Sequence, residues 1–136
     1  MGVDVQIDNV DVKIDHTQRT NFVTWKGCVT ADDILQAMLA LHTDSTFDES
    51  YDTLCDYTKA QELVMSPDDM NRLMSTMESH DMRCGRTAMV MPDNRGSQNI
   101  AKVMGTALAT KGSDLHRMFT SFLEAEVWLG LRNVRP

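Results

Sequence analysis

The sequence lacks the features that most often announce chemistry. Only three of its 136 residues are cysteine (Cys28, Cys55, Cys84). An odd number with no CxxC spacing argues against a disulfide framework and against a four-thiolate zinc site. The four histidines (His16, His42, His80, His116) form no HxxxH or HExxH pair, so no metal is expected. No GxGxxG or GxxxxGK[ST] loop suggests a nucleotide, and no GxSxG elbow suggests an α/β-hydrolase. No cofactor is expected. Basic residues are the minority, 13 Lys and Arg against 20 Asp and Glu, for a formal charge of -7. No broad basic face is left for a nucleic acid or an anionic membrane. No run approaches the ~18 apolar residues of a membrane helix, so integral membrane insertion is not expected. The opening MGVDVQIDNV has no basic segment leading into an apolar stretch, and Gln6 stands where a myristoylation signal has Ser or Thr. The expected setting is a reducing cytoplasm.

What is present is an ordinary globular mixture, 42% hydrophobic and 24% charged, at a length suited to one domain with one core. Residues 3–7 alternate Val, Val and Ile with polar residues, and residues 21–27 (NFVTWKG) are β-branched and aromatic, so both are expected as strands. Between them Val10, Val12 and Ile14 keep the alternation, which could prolong the first strand. Thr30 opens TADD, a capping-box-like start, before Ile34, Leu35, Met38, Leu39 and His42 on one side of a helix expected to stop near Thr43. Residues 44–50 have turn chemistry, and residues 51–57 (YDTLCDY) form a short strand candidate. Ser66-Pro67-Asp68-Asp69 is the strongest helix start in the chain: a capping hydroxyl, a proline where no donor is needed, and carboxylates at the positive helix end. Met70, Leu73, Met74 and Met77 follow at helical spacing.

Residues 87–91 (TAMVM) read as another strand. Residues 93–97 (DNRGS) are a turn into a helix carrying Ile100, Val103, Met104, Ala107 and Leu108. After the break at Gly112 and Ser113, residues 115–119 give a last strand. Ser121 then caps a final helix with Phe122, Leu123, Val127, Trp128 and Leu129, ended by Gly130. The order β-β-α-β-α-β-α-β-α, with short right-handed crossovers, predicts a mixed sheet of four or five strands flanked by about four helices.

In such a sheet, ligands and partners meet the loops at the carboxyl ends of the strands. That rim is expected to collect Asp56, Tyr57, Thr58, Lys59 and Ser66, with Asp93, Asn94, Arg95 and Gly96 after a later strand. Ser66 reads first as a helix cap and second as a phosphorylation site, since a phosphate there would meet backbone donors. Arg95 and Gly96 could hold an anion, or the segment could be a plain turn. His80 and Cys84, four residues apart, are the one pair resembling a Cys-His nucleophile, and no third orienting group is visible. The methionines of the second helix are expected as core. The alternative is a soft cavity beneath that helix for a small apolar or lipid-like ligand.

The ending Phe119-Thr120-Ser121-Phe122-Leu123-Glu124-Ala125-Glu126-Val127-Trp128-Leu129-Gly130, with Trp25-Lys26-Gly27 closing the second strand and Asp56 ending the third, resembles small bacterial proteins of the SpoIIAA-like superfamily. These are related to STAS domains and more distantly to CRAL-TRIO lipid-binding domains. The resemblance implies a mixed sheet flanked by helices, no intrinsic catalysis, and regulation through protein contacts or binding of a small ligand. Antagonists of that superfamily carry a phosphorylatable serine in an Asp-Ser-Ser/Thr-Gly motif at the start of the second helix. Ser66 is similar in position, but its context is Met65-Ser66-Pro67-Asp68. The expectation is a non-enzymatic regulatory or interaction module with an unidentified protein partner. A homodimer is considered because Trp25 and Trp128 compete for a small core.

Overall fold

A computed structural model describes residues 2–5, 7–80, 82, 85–92 and 115–131. Strand β1 (Val10–Asp15) turns back into β2 (Thr20–Thr30), and helix α1 (Ala31–Thr43) carries the chain to β3 (Asp52–Val64). Helix α2 (Pro67–Ser79) leads to β4 (Thr87–Val90), and β5 (His116–Phe119) is followed by helix α3 (Phe122–Leu129). The five strands lie in sequence order in one sheet, β1 antiparallel to β2 and the rest parallel. The mixed sheet is therefore as expected. Three helices are described, and the expected helix through Ile100 and Leu108 lies outside the described residues.

Strand alternation sorts the side chains onto two faces. On one face Val12, Ile14, Val23, Trp25, Val29, Cys55, Tyr57 and Met89 join Ile34, Met38 and Leu41 of α1 and Met70 and Leu73 of α2 in a single buried cluster. This covering of one face by α1 and α2 follows from right-handed crossovers that all advance in the same direction across the sheet. On the other face Leu54, Ala88, Val90 and Phe119 pack with Ala125 and Leu129 of α3.

Two strand boundaries differ from expectation. The first strand is Val10–Asp15 rather than residues 3–7. Gly2 bridges Lys13 and the Val3 N–H donates to Val12 O, so the opening segment lies along the sheet edge. The third strand does not end after Asp56 but continues to Val64, because Lys59, Ala60, Glu62 and Leu63 find partners along β2 as far as Thr30. Strand β4 pairs only with Thr53 to Asp56, so beyond Asp56 the two strands project past the sheet as a ribbon. Irregular register between Thr24 and Lys26 and between Gly27 and Cys28 bends this ribbon, with Gly27 at φ 68° supplying the left-handed backbone.

Both tryptophans find cover within the chain. Trp25 is wholly buried and stacks on Tyr57 at 6.1 Å and 8°. Trp128 is half-buried beneath the Arg86 guanidinium. Their competition for space therefore gives no reason for self-association.

Candidate functional site

The two long helices start from the same place. Thr30 and Val64 are register partners at the far ends of β2 and β3, so α1 and α2 leave the ribbon side by side. Their first residues repeat one pattern, Thr30-Ala31-Asp32-Asp33 and Ser66-Pro67-Asp68-Asp69. Each forms a complete capping box. The Thr30 hydroxyl accepts from Asp33 N at 3.2 Å while the Asp33 carboxylate accepts from Thr30 N at 3.1 Å. At α2, Ser66 Oγ accepts from Asp69 N at 3.1 Å and Asp69 Oδ2 accepts from Ser66 N at 3.0 Å. One first-turn donor at each helix start, the amide of Asp33 or Asp69, is thus taken up inside the chain together with the N–H of its own cap residue.

Charge follows the same logic. The Ser66 backbone N–H, then Arg72 and the Ser66 hydroxyl, hold the Asp69 carboxyl below its ordinary value of 3.8. Asp33 also accepts from Asn9 Nδ2, which in turn donates to Cys28 O. Asp32 and Asp68 are exposed, and no described residue bonds to either. Of the four first-turn carboxylates, Asp69 pairs with the Arg72 guanidinium, and among the described residues no basic side chain pairs with the other three. Each helix N-terminus contributes about half a positive charge, leaving roughly two negative charges at this end of the molecule.

Between the two helices runs an open groove of about 450 Å³. Ala31, Leu35 and Leu73 give it an apolar floor, with Asp32, Asp69 and Arg72 among its polar edges. Periodicity alone did not reveal this groove, because it depends on pairing Thr30 with Val64 across the sheet. The signal available in the sequence was the matching TADD and SPDD pair. A second cleft of about 580 Å³, lined by Leu39, His42, Phe47, Asp48, His80 and Met82 among others, lies at the opposite end of α1.

The residues expected to share a rim are spread along β3 instead. Asp56 sits opposite Val90, level with the end of β4, and accepts from Thr58 N at 2.9 Å and Thr58 Oγ1 at 2.6 Å. Tyr57 points into the core with 3% of its surface exposed, and burial pushes its phenol well above its ordinary value, so it forms no part of an outer surface. Lys59 is an exposed strand residue rather than a loop residue. Ser66 follows the end of β3, and the eight steps from Asp56 to Val64 span roughly 26 Å at ~3.3 Å each. Asp56 and Ser66 therefore do not meet. Asp93, Asn94, Arg95, Gly96 and Cys84 lie outside the described residues.

Three histidines are engaged locally. His42 Nδ1 donates to Met38 O at 2.8 Å, His80 Nδ1 donates to Thr76 O at 2.9 Å, and His16 Nδ1 lies 2.9 Å from the Tyr51 hydroxyl. His116 sits in β5, where burial lowers its pKa. Among the described residues, no group of three or more His, Cys, Asp or Glu side chains is placed to hold a metal ion, and no helix is long and apolar enough to cross a membrane. The space beneath α2 is occupied by Met70 and Leu73, with Met74 and Met77 packed against the same cluster.

No family model and no curated protein matches this chain. A solved structure does: an uncharacterised protein of the DUF3478 family from Shewanella loihica PV-4, described as having a SpoIIAA-like fold. The two share 16% identity at a TM-score of 0.54, over 94% of this chain and 99% of the other. At that identity the likeness speaks for architecture, and with the strand order above it gives this chain a SpoIIAA-like α/β fold.

Proposed function

We propose that this domain is a non-enzymatic regulatory module that works by docking another protein at the acidic end where α1 and α2 begin. The observation that carries the reading is the pair of self-capped helix starts brought level by Thr30 and Val64. A helix N-terminus that served a phosphate would leave its donors free and its first turn uncharged or basic. Here each start engages its own cap residue, its first turn is acidic, and Asp32 and Asp68 stand exposed to solvent. Such an end attracts a cationic surface. The engagement of His42 and His80 with carbonyls of their own helices is in keeping with structural rather than proton-transfer roles. We assign the module to the cytoplasm, a setting in keeping with the free thiols of exposed Cys28 and buried Cys55.

Affinity capture from lysate of the cells that make the protein tests this reading, with wild type compared with an Asp32→Lys/Asp68→Lys double variant. The expected result is a protein partner held by wild type, released by added salt and lost by the variant. Recovery of no partner, together with a small molecule co-purifying at stoichiometric amount, would overturn the reading in favour of a ligand carrier.

A further inference from the structure

We infer that the groove between α1 and α2 receives an amphipathic helical segment of the partner, one that sets apolar side chains on Ala31, Leu35 and Leu73 and places Lys or Arg beside Asp32. This rests on the docking reading above and names the chemistry of what docks.

Two observations select this occupant. The groove is open rather than a closed pocket, and half-buried Leu35 and buried Leu73 line it alongside polar residues such as Asn71 and Thr76. A small polar ligand would leave that floor wet, whereas an apolar side chain from a partner helix would cover it. The edges are charged with one sign in excess. Asp32 lines the groove and has no bonded partner among the described residues, while Arg72 is already matched by Asp69. A basic segment meets an unpaired carboxylate there, and an acidic segment meets only repulsion. The outer side of α3 also exposes apolar residues, Leu123 at 65% and Val127 at 71%. Glu124 and Glu126 flank that pair, so it too combines apolar surface with negative charge and serves as the internal comparison.

The test is an amide NMR titration of the intact protein with two synthetic amphipathic helices, alike in their leucines but carrying lysine in one and glutamate in the other. The lysine helix is expected to shift the amides of Ala31, Leu35, Leu73 and Thr76. Its affinity should fall on the order of tenfold in Asp32→Lys, about 1.4 kcal/mol, and be lost in Leu35→Glu. The glutamate helix should shift none of these. Equal binding of both helices, shifts centred on Leu123 and Val127, or no shift with the lysine helix would overturn the inference. Leu35→Glu in the capture experiment separates the two levels. A partner still held by that variant removes the groove while leaving docking intact, whereas a partner absent from the wild type removes docking itself.

Discussion

Arg86 joins Asp52 to the end of α3 with one side chain. Its Nη2 lies 3.2 Å from Asp52 Oδ2 and 3.2 Å from Leu129 O, and its Nη1 donates to Trp128 O. The Arg86 backbone N–H adds a 2.8 Å bond to Asp52 Oδ1, and the guanidinium lies over the Trp128 ring, 5.2 Å from its centroid. A cation therefore meets the negative end of a helix dipole whose last carbonyls would otherwise need water. The feet of β3 and β4 and the end of α3 are held at one point.

Removing that point should loosen α3. Arg86→Ala is expected to cost about 1–3 kcal/mol, the scale of charged hydrogen bonds lost from a partly exposed site. Arg86→Lys should recover only part, because an ammonium cannot hold two carbonyls and a carboxylate in the planar fork that a guanidinium offers. Urea unfolding midpoints of the three proteins check this, and an unchanged midpoint for Arg86→Ala would contradict it.

Gly85 belongs to the same joint. A Cβ there would lie 2.5 Å from Asp52 Oδ1 and 3.1 Å from the backbone oxygens of Ser50 and Tyr51. Gly85→Ala should therefore push Asp52 away from Arg86 and destabilise by roughly 1–3 kcal/mol, as overpacking does. Because both changes break one contact, Gly85→Ala and Arg86→Ala together should cost less than their sum. Full additivity in a double-mutant cycle would show that the two act separately.

The capping boxes give a local and a pH-dependent signature. Ser66→Ala and Thr30→Ala should each cost on the order of 1 kcal/mol. Asp69, like Asp44 and Asp48, titrates below its ordinary value of 3.8, with a hydrogen bond as the leading cause in each case. The unfolded chain then binds protons more readily than the folded one. The stabilisation is therefore present above pH 3.8 and is lost as pH falls through the lower folded values. Asp69→Asn should flatten this acid limb in denaturation midpoints measured from neutral pH downward, and an unaltered limb would count against the cap.

The tryptophans should report different surroundings. Trp25 is sealed in the core, stacked on Tyr57, with a buried Nε1 that has no acceptor among the described residues. Trp128→Phe should leave a blue-shifted emission that iodide hardly quenches, whereas Trp25→Phe should leave the more accessible signal. Trp25→Phe should also cost less than the roughly 3–5 kcal/mol of an aromatic-to-alanine change, since it removes the orphan donor along with some packing.

What the sequence made legible was what depends on nearby residues. Ser66, Thr30 and Ser121 mark helix starts because a cap is chemistry within four positions, and all three accept from the amide three residues on. Gly130 ends α3 at φ 70°, as its place after Leu129 suggested. The long continuation of β3 was hidden because residues 58–62 are mostly polar, and they are polar because the ribbon beyond β4 is exposed on much of its surface. Asp56 and Ser66 looked like neighbours only while that continuation was unseen. The groove required knowing that Thr30 and Val64 lie side by side, a long-range pairing that no local pattern encodes.

Native mass spectrometry of the protein isolated from the cells that make it tests the central claim most directly. The expected spectrum is a salt-sensitive complex with a second protein that disappears when Asp32 and Asp68 are replaced by Lys. A chain that flies alone with a bound small molecule, unaffected by those substitutions, would contradict a docking role for the acidic helix ends.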